Sequence, residues 1–294
     1  MSTGNPNDTS KPAGSKGAHY HRECTGAALE TAERHAKSIN TPQDDGICIF
    51  GAAFCPFVQR AWIVLEMLGV EYQYREVDPY QKPSDLLALN PKGLVPSLKL
   101  SCGDKPGEVM GLGESTVIVE YLLERFQPPP SGTTLLPPLS EPYARAVQRL
   151  AVFRGNQSVV PAFYRFLQSQ PDSDPEHHIK REEYIKTLTN FTQSMHPEGP
   201  FWAGKQISVV DCNLFPWIFR TTNVLRHFRG LQLQDWGAKE GRMAQWLEAM
   251  MKLPAVAGTC STEELYLDSY ARYAENRKGT SQVADATNTG RSLP

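Results

Sequence analysis

No apolar run in this chain approaches the ~20 residues that a bilayer-spanning helix requires. The stretch from Met1 to Lys16, rich in Ser, Thr, Gly, Asn, Pro and Lys, lacks the apolar centre of a secretory signal. Six cysteines spread irregularly through 294 residues do not make a disulfide framework. No Cys-x2-Cys or His-x3-His pair offers a metal site, and the adjacent His177 and His178 point different ways on a helix. A net charge of −2 leaves no basic footprint for nucleic acid or an anionic membrane surface. Gly111-Leu112-Gly113 lacks the third glycine of a dinucleotide loop. These absences lead us to expect a protein of a reducing compartment, the cytosol, with no metal, no nucleic acid and no stable membrane insertion. The sequons at Asn7, Asn156 and Asn190 carry no weight there.

What is present is ordinary in bulk: 40% hydrophobic and 21% charged residues, enough for one large or two ordinary domains. Residues 1–45 read as an extension, disordered over 1–22 and favouring helix over 23–38. Ile47–Gly51 reads as a strand and residues 56–68 as a helix, with Phe57, Ala61, Val64, Leu65 and Leu68 at helical spacing and Gly69 just past its end. Residues 70–77 alternate as a second strand, which makes a β-α-β unit. A short helix at 84–89, a strand after Pro96, a polar turn at 101–108 and a return strand at 108–111 follow, then a helix over 117–126. The proline-rich stretch 128–140 is the domain boundary. Beyond it the pattern is helical over 141–168, 176–196, 208–229, 240–252 and 261–276, with Ser208 and Asp211 spaced as a capping box. Residues 277–294 read as a flexible tail. The expected architecture is an α/β domain over 46–127, with a four-stranded mixed sheet, followed by an all-α domain over 141–276.

One cysteine stands apart from the other five. Cys55 ends the turn between strand and helix, with Pro56 at the first helical position, where its fixed φ fits and its missing N–H is no loss. A thiol there faces unpaired amide donors and the positive end of the helix dipole, both of which favour the nucleophilic thiolate. The expectation is a reactive, low-pKa cysteine. A redox pair would need a second cysteine at position 58, where Val58 stands, so this is a monothiol site.

Three separated motifs give the chain a wider resemblance: Phe54-Cys55-Pro56-Phe57 with Arg60; Asn90-Pro91-x-Gly93-Leu94-Val95-Pro96; and Glu114-Ser115 opening a helix that continues through Glu120-Tyr121-Leu122. Together with the capping box they resemble the glutathione transferases over residues 46–276, and the cysteine in place of serine or tyrosine resembles the omega class. That resemblance implies a thioredoxin-like first domain, glutathione as co-substrate and a homodimer. It gives Cys55 the role of forming a mixed disulfide with glutathione. Val95, before a cis Pro96, would bind the cysteinyl portion through its backbone. Glu114 and Ser115 would hold the γ-glutamyl end, Lys82 the glycyl carboxylate, and Phe57 would pack at the edge. Trp217, Phe163 and Tyr164 would line an acceptor pocket on the first and third helices of the second domain.

The activity implied is a glutathione-dependent thiol transferase or reductase, acting on glutathionylated acceptors or dehydroascorbate, with weak conjugation. Two rival readings stand beside it. One is a carrier of hydrophobic ligands in which the thiol is incidental; the other is a chloride-channel-like relative, disfavoured by the lack of an insertable apolar segment.

Overall fold

The computed structural model describes residues 21–37, 46–101 and 109–294. Residues 102–108 of the expected polar turn, with Cys102, and residues 1–20 of the disordered stretch expected at 1–22 lie outside the described residues. His21 is described, and both its backbone N–H and its ring contact Asp268.

The first helix, α1 (Gly26–Arg34), belongs to the extension and is anchored at both ends of its reach. Cys24 and Ala28 are buried in the main core. The Ala28 amide donates to the Cys260 carbonyl, and the Tyr74 amide donates to the carbonyl of His35 just after α1. The extension therefore ties the sheet to the far end of the chain.

Four strands form one mixed sheet in the order β2-β1-β3-β4: β1 (Ile47–Gly51), β2 (Gln73–Glu76), β3 (Ser97–Ser101) and β4 (Val109–Leu112). β1 pairs parallel to β2, Cys48 opposite Gln73, and antiparallel to β3, Ile47 opposite Leu100. The parallel pair is joined by α2 (Pro56–Leu68), which ends at Gly69 in the left-handed conformation a helix C-terminus favours. The sequence reads α2 as amphipathic, but the structure buries it nearly all round, Gln59 and Arg60 included. The reason is position. α2 packs against α4 (Ser115–Arg125) and α7 (Val209–Arg220), so no face is left for solvent. Helix α3 (Ser84–Leu89) packs on β3 and β4.

Past the linker, α5 (Pro142–Gln168), α6 (His177–Gln193) and α7 form the helical domain. Asp211 at the start of α7 fulfils the capping-box expectation and more. It accepts from Ser208 N and Oγ, from the Trp202 amide and from Trp246 Nε1, at 2.6–2.8 Å. A π-helical turn, Thr221–Leu225, leads to α8 (Arg226–Arg229), followed by α9 (Gly241–Met251), α10 (Pro254–Ala257) and α11 (Glu263–Ala274).

The tail expected to be flexible at 277–294 is corrected: it contains α12 (Gln282–Thr289). Ser281 caps that helix by accepting from the Ala284 amide at 3.0 Å. Gln168 of α5 holds it by donating to Ala284 O and Asn288 Oδ1. Its polar composition hid it, since local capping and a buried glutamine hold it in place of a strong apolar stripe.

Candidate active site

The site grows from the turn between β1 and α2. Cys55 is the N-cap of α2, in extended conformation at φ −77°, ψ 118°, with Pro56 as first helical residue. The turn before it is pinned from two sides. The Ala53 amide donates to Glu76 Oε1 at 2.7 Å, and Arg220 Nη2 donates to the Phe54 carbonyl at 2.8 Å. Cys55 Sγ lies 3.8 Å from the Val95 carbonyl oxygen, across the cis Val95–Pro96 bond that enters β3.

Cys55 opens into a cleft of about 690 Å³ between the two domains. On the sheet side lie Phe57, Lys82, Val95, Pro96, Glu114 and Ser115. On the helical side lie Tyr164 of α5, Tyr270 and Tyr273 of α11, and residues 279–283 leading into α12. Glu114 takes φ 63°, ψ 104°, a left-handed conformation uncommon outside glycine and held here by its place before α4. A larger groove of about 1010 Å³ adjoins this cleft, sharing Phe57, Glu114 and Ser115, but no cysteine lines it. The smaller cleft, which Cys55 lines, is the candidate site.

The model for the glutathione S-transferase N-terminal domain matches residues 49–130. Glutathione transferase Omega 3C from Trametes versicolor superposes on this chain with a TM-score of 0.72 at 32% identity, over 86% of this chain and 98% of that one. The chain belongs to the omega class of the glutathione transferases. Glutathione S-transferase omega-1 of Sus scrofa is 29% identical over 218 residues, 74% of this chain and 81% of its own. Glutathione S-transferase DHAR3, chloroplastic, of Arabidopsis thaliana is 27% identical over 198 residues, 67% of this chain and 64% of its own. An omega-class glutathione transferase is an enzyme with glutathione as co-substrate, and the thioredoxin-like domain followed by a helical domain is the architecture found here.

Against that class, the expected site residues divide into two groups. Cys55, Phe57, Lys82, Val95, Pro96, Glu114, Ser115 and Tyr164 all reach the cleft. Lys82 is exposed and donates from Nζ to the Lys92 carbonyl at 3.1 Å. Trp217 and Phe163 do not reach it, which corrects their assignment to the acceptor pocket. Both are fully buried. Trp217 lies behind Phe57, ring centroids 4.9 Å apart, with the Arg60 guanidinium 4.5 Å from its ring. Phe163 is walled in by Tyr164, Tyr184 and Tyr270. Aromatics at helical spacing have turned inward, as core residues do.

The residues missed are Tyr270, Tyr273 and Arg220. The two tyrosines carried a readable sign, since Tyr266, Tyr270 and Tyr273 form a stripe on one face of a helix. The low-pKa expectation for Cys55 is also corrected for the ligand-free site. Burial pushes its thiol above the ordinary value; the amides of Val58 and Phe57, then the charges of Arg220 and Arg60, pull downward without overcoming it. The helix N-terminus acts as expected, and desolvation outweighs it.

Proposed function

We propose that this enzyme is a glutathione-dependent thiol transferase and reductase working through Cys55 alone. The observation that carries the reading is the placement of Cys55 Sγ at the N-terminus of α2, in a cleft that no other cysteine lines among the described residues. The Cys55 thiolate attacks the glutathionyl sulfur of a mixed disulfide. The S–S bond breaks, the acceptor leaves as a thiolate that takes a proton, and Cys55 becomes glutathionylated. A second glutathione, as thiolate, attacks that disulfide, releasing oxidised glutathione and the Cys55 thiolate. With dehydroascorbate as acceptor the Cys55 thiolate adds to a carbonyl carbon; one free glutathione attacks the Cys55 sulfur, breaking the C–S bond and releasing ascorbate, and a second attacks the resulting mixed disulfide, so that two glutathiones supply both electrons and leave as oxidised glutathione.

The remaining roles follow the cleft. The Val95 backbone meets the cysteinyl portion as an added strand would. Ser115, buried at the start of α4, and Glu114 suit the γ-glutamyl carboxylate and ammonium. Lys82, at the rim, suits the glycyl carboxylate. Tyr164, Tyr270 and Tyr273 give the acceptor an aromatic wall whose phenols burial keeps protonated. Exposed Val117, Leu150 and Phe153 on α4 and α5 offer an apolar face for a second copy of the chain. A carrier role with the thiol incidental has no observation of its own in its favour.

The test is turnover of a small glutathionyl disulfide in the presence of glutathione, for wild type and Cys55→Ser. Exchange lost in the serine variant supports the reading. Exchange at the wild-type rate removes Cys55 from the mechanism.

A further inference from the structure

Two arginines lie buried on either side of the Cys55 turn, and among the described residues neither has a carboxylate within ion-pair distance. Arg60 sits in α2 itself, donating from Nη1 to Asn156 Oδ1 and Asn213 Oδ1 at 2.8 and 3.1 Å. Arg220 comes from the far domain, at the end of α7. Its acceptors are all neutral: Gln59 Oε1 at 2.6 Å, Pro216 O and Phe54 O at 2.8 Å. Its guanidinium also lies 4.6 Å from the Tyr266 ring. A buried guanidinium with only neutral partners is an uncompensated charge, and its field is weakly screened at that depth. The Phe54 carbonyl it holds belongs to the peptide that carries the Cys55 amide.

We propose that Arg220 is a positioning residue for the thiol chemistry, its buried charge stabilising the Cys55 thiolate while its hydrogen bond fixes the turn that presents the sulfur. This rests on the reading of Cys55 as the exchanging thiol. The other ionisable groups around that sulfur do not supply the same field. Tyr74, Tyr164, Tyr270 and Tyr273 are phenols that burial keeps neutral. Tyr80, Lys82, Lys92 and Glu114 stand on the cleft wall, the two lysines and Glu114 exposed to solvent that screens them. Glu76, which accepts the Ala53 amide on the other side of the turn, is of opposite sign, so its ionisation at about pH 7 disfavours the thiolate in wild type and variants alike. Arg60 adds to the field, but of the charges that oppose the burial of Cys55, Arg220 has the larger effect.

The experiment measures alkylation of Cys55 by uncharged iodoacetamide across the neutral and alkaline range, followed by peptide mass spectrometry, with folding checked by circular dichroism. The variants are Arg220→Gln, Arg220→Lys and Gln59→Glu, the last placing a carboxylate on the guanidinium while leaving the arginine in place. Arg220→Gln should slow alkylation at neutral pH by about tenfold or more and move the midpoint upward, as loss of a nearby opposite charge does. Arg220→Lys should restore most of the rate, and Gln59→Glu should move the midpoint in the same direction as Arg220→Gln. A folded Arg220→Gln protein with the wild-type profile overturns the proposal, as does a lysine variant as slow as the glutamine one. If Arg220→Gln does not fold, an unchanged profile in Gln59→Glu overturns it instead. Wild-type protein whose Cys55 resists alkylation at every pH overturns the exchange reading itself, a result distinct from any of these.

Discussion

Glu76, half-buried at the end of β2, has its carboxyl under the Cys55 turn. Oε1 accepts the Ala53 amide at 2.7 Å, and Oε2 accepts the Cys24 thiol at 3.1 Å. Burial is the largest influence on it and raises its pKa from 4.5 to about 7, against hydrogen bonds from Cys24, Ala53 and Tyr74 that lower it. In the unfolded chain the carboxyl ionises near its ordinary value, whereas in the fold it keeps its proton until about pH 7. The fold therefore binds the extra proton between those two values, and stability falls as pH rises through that window. Below it the contribution is fully present; above it the contribution is lost. At about 1.4 kcal/mol per pH unit, the loss across the window is about 3 kcal/mol. Glu76→Gln keeps an acceptor for the Ala53 amide and removes the titration. Urea unfolding of both proteins on either side of the window isolates this group, because every other titration cancels in the difference. The variant should gain about 3 kcal/mol on wild type between the acid and alkaline ends. A difference that stays flat with pH refutes the reasoning about Glu76.

Three further outcomes follow. Because burial holds the Cys55 thiol above its ordinary value, exchange should climb with pH through the neutral and alkaline range, about tenfold per unit until the thiolate is complete; a rate already level at acid pH contradicts this. Asp211→Ala strips one acceptor from four donors, two of them around Ser208, and should cost about 3–5 kcal/mol in urea unfolding; a loss under about 1 kcal/mol means these bonds are not needed. Gly93 has φ +59°, and an added Cβ would sit 2.6 Å from Lys82 Cδ. Gly93→Ala should therefore raise the KM for glutathione severalfold with little change in kcat, and an unchanged KM dissociates Lys82 from glutathione binding.

Much of this fold is legible locally. Pro56 and Gly69 punctuate α2 at both ends, and the Ser208–Asp211 spacing announces the start of α7. The three motifs that line the sheet side of the cleft are short and separated, yet each lies where a strand or helix begins, so each carries its own backbone geometry. What sequence could not show depends on what packs against what. Nothing local in the sequence marks Arg60 and Arg220 as buried; the packing of α2 and α7 encloses them. Trp217 and Tyr164 are both aromatics on helices, and only the crossing of α5, α7 and α2 turns one inward and leaves the other facing the thiol. The balance at Cys55 is of the same kind. The helix N-terminus is a local feature, legible from Pro56; the burial that outweighs it is a property of the assembled cleft.

The most direct test of the central claim is the intact mass of the protein after incubation with oxidised glutathione, for wild type and Cys55→Ser. One glutathione adduct should form on wild type, be absent from the serine variant and be removed by reduced glutathione. An adduct that persists in Cys55→Ser, or none on wild type at any pH, contradicts it.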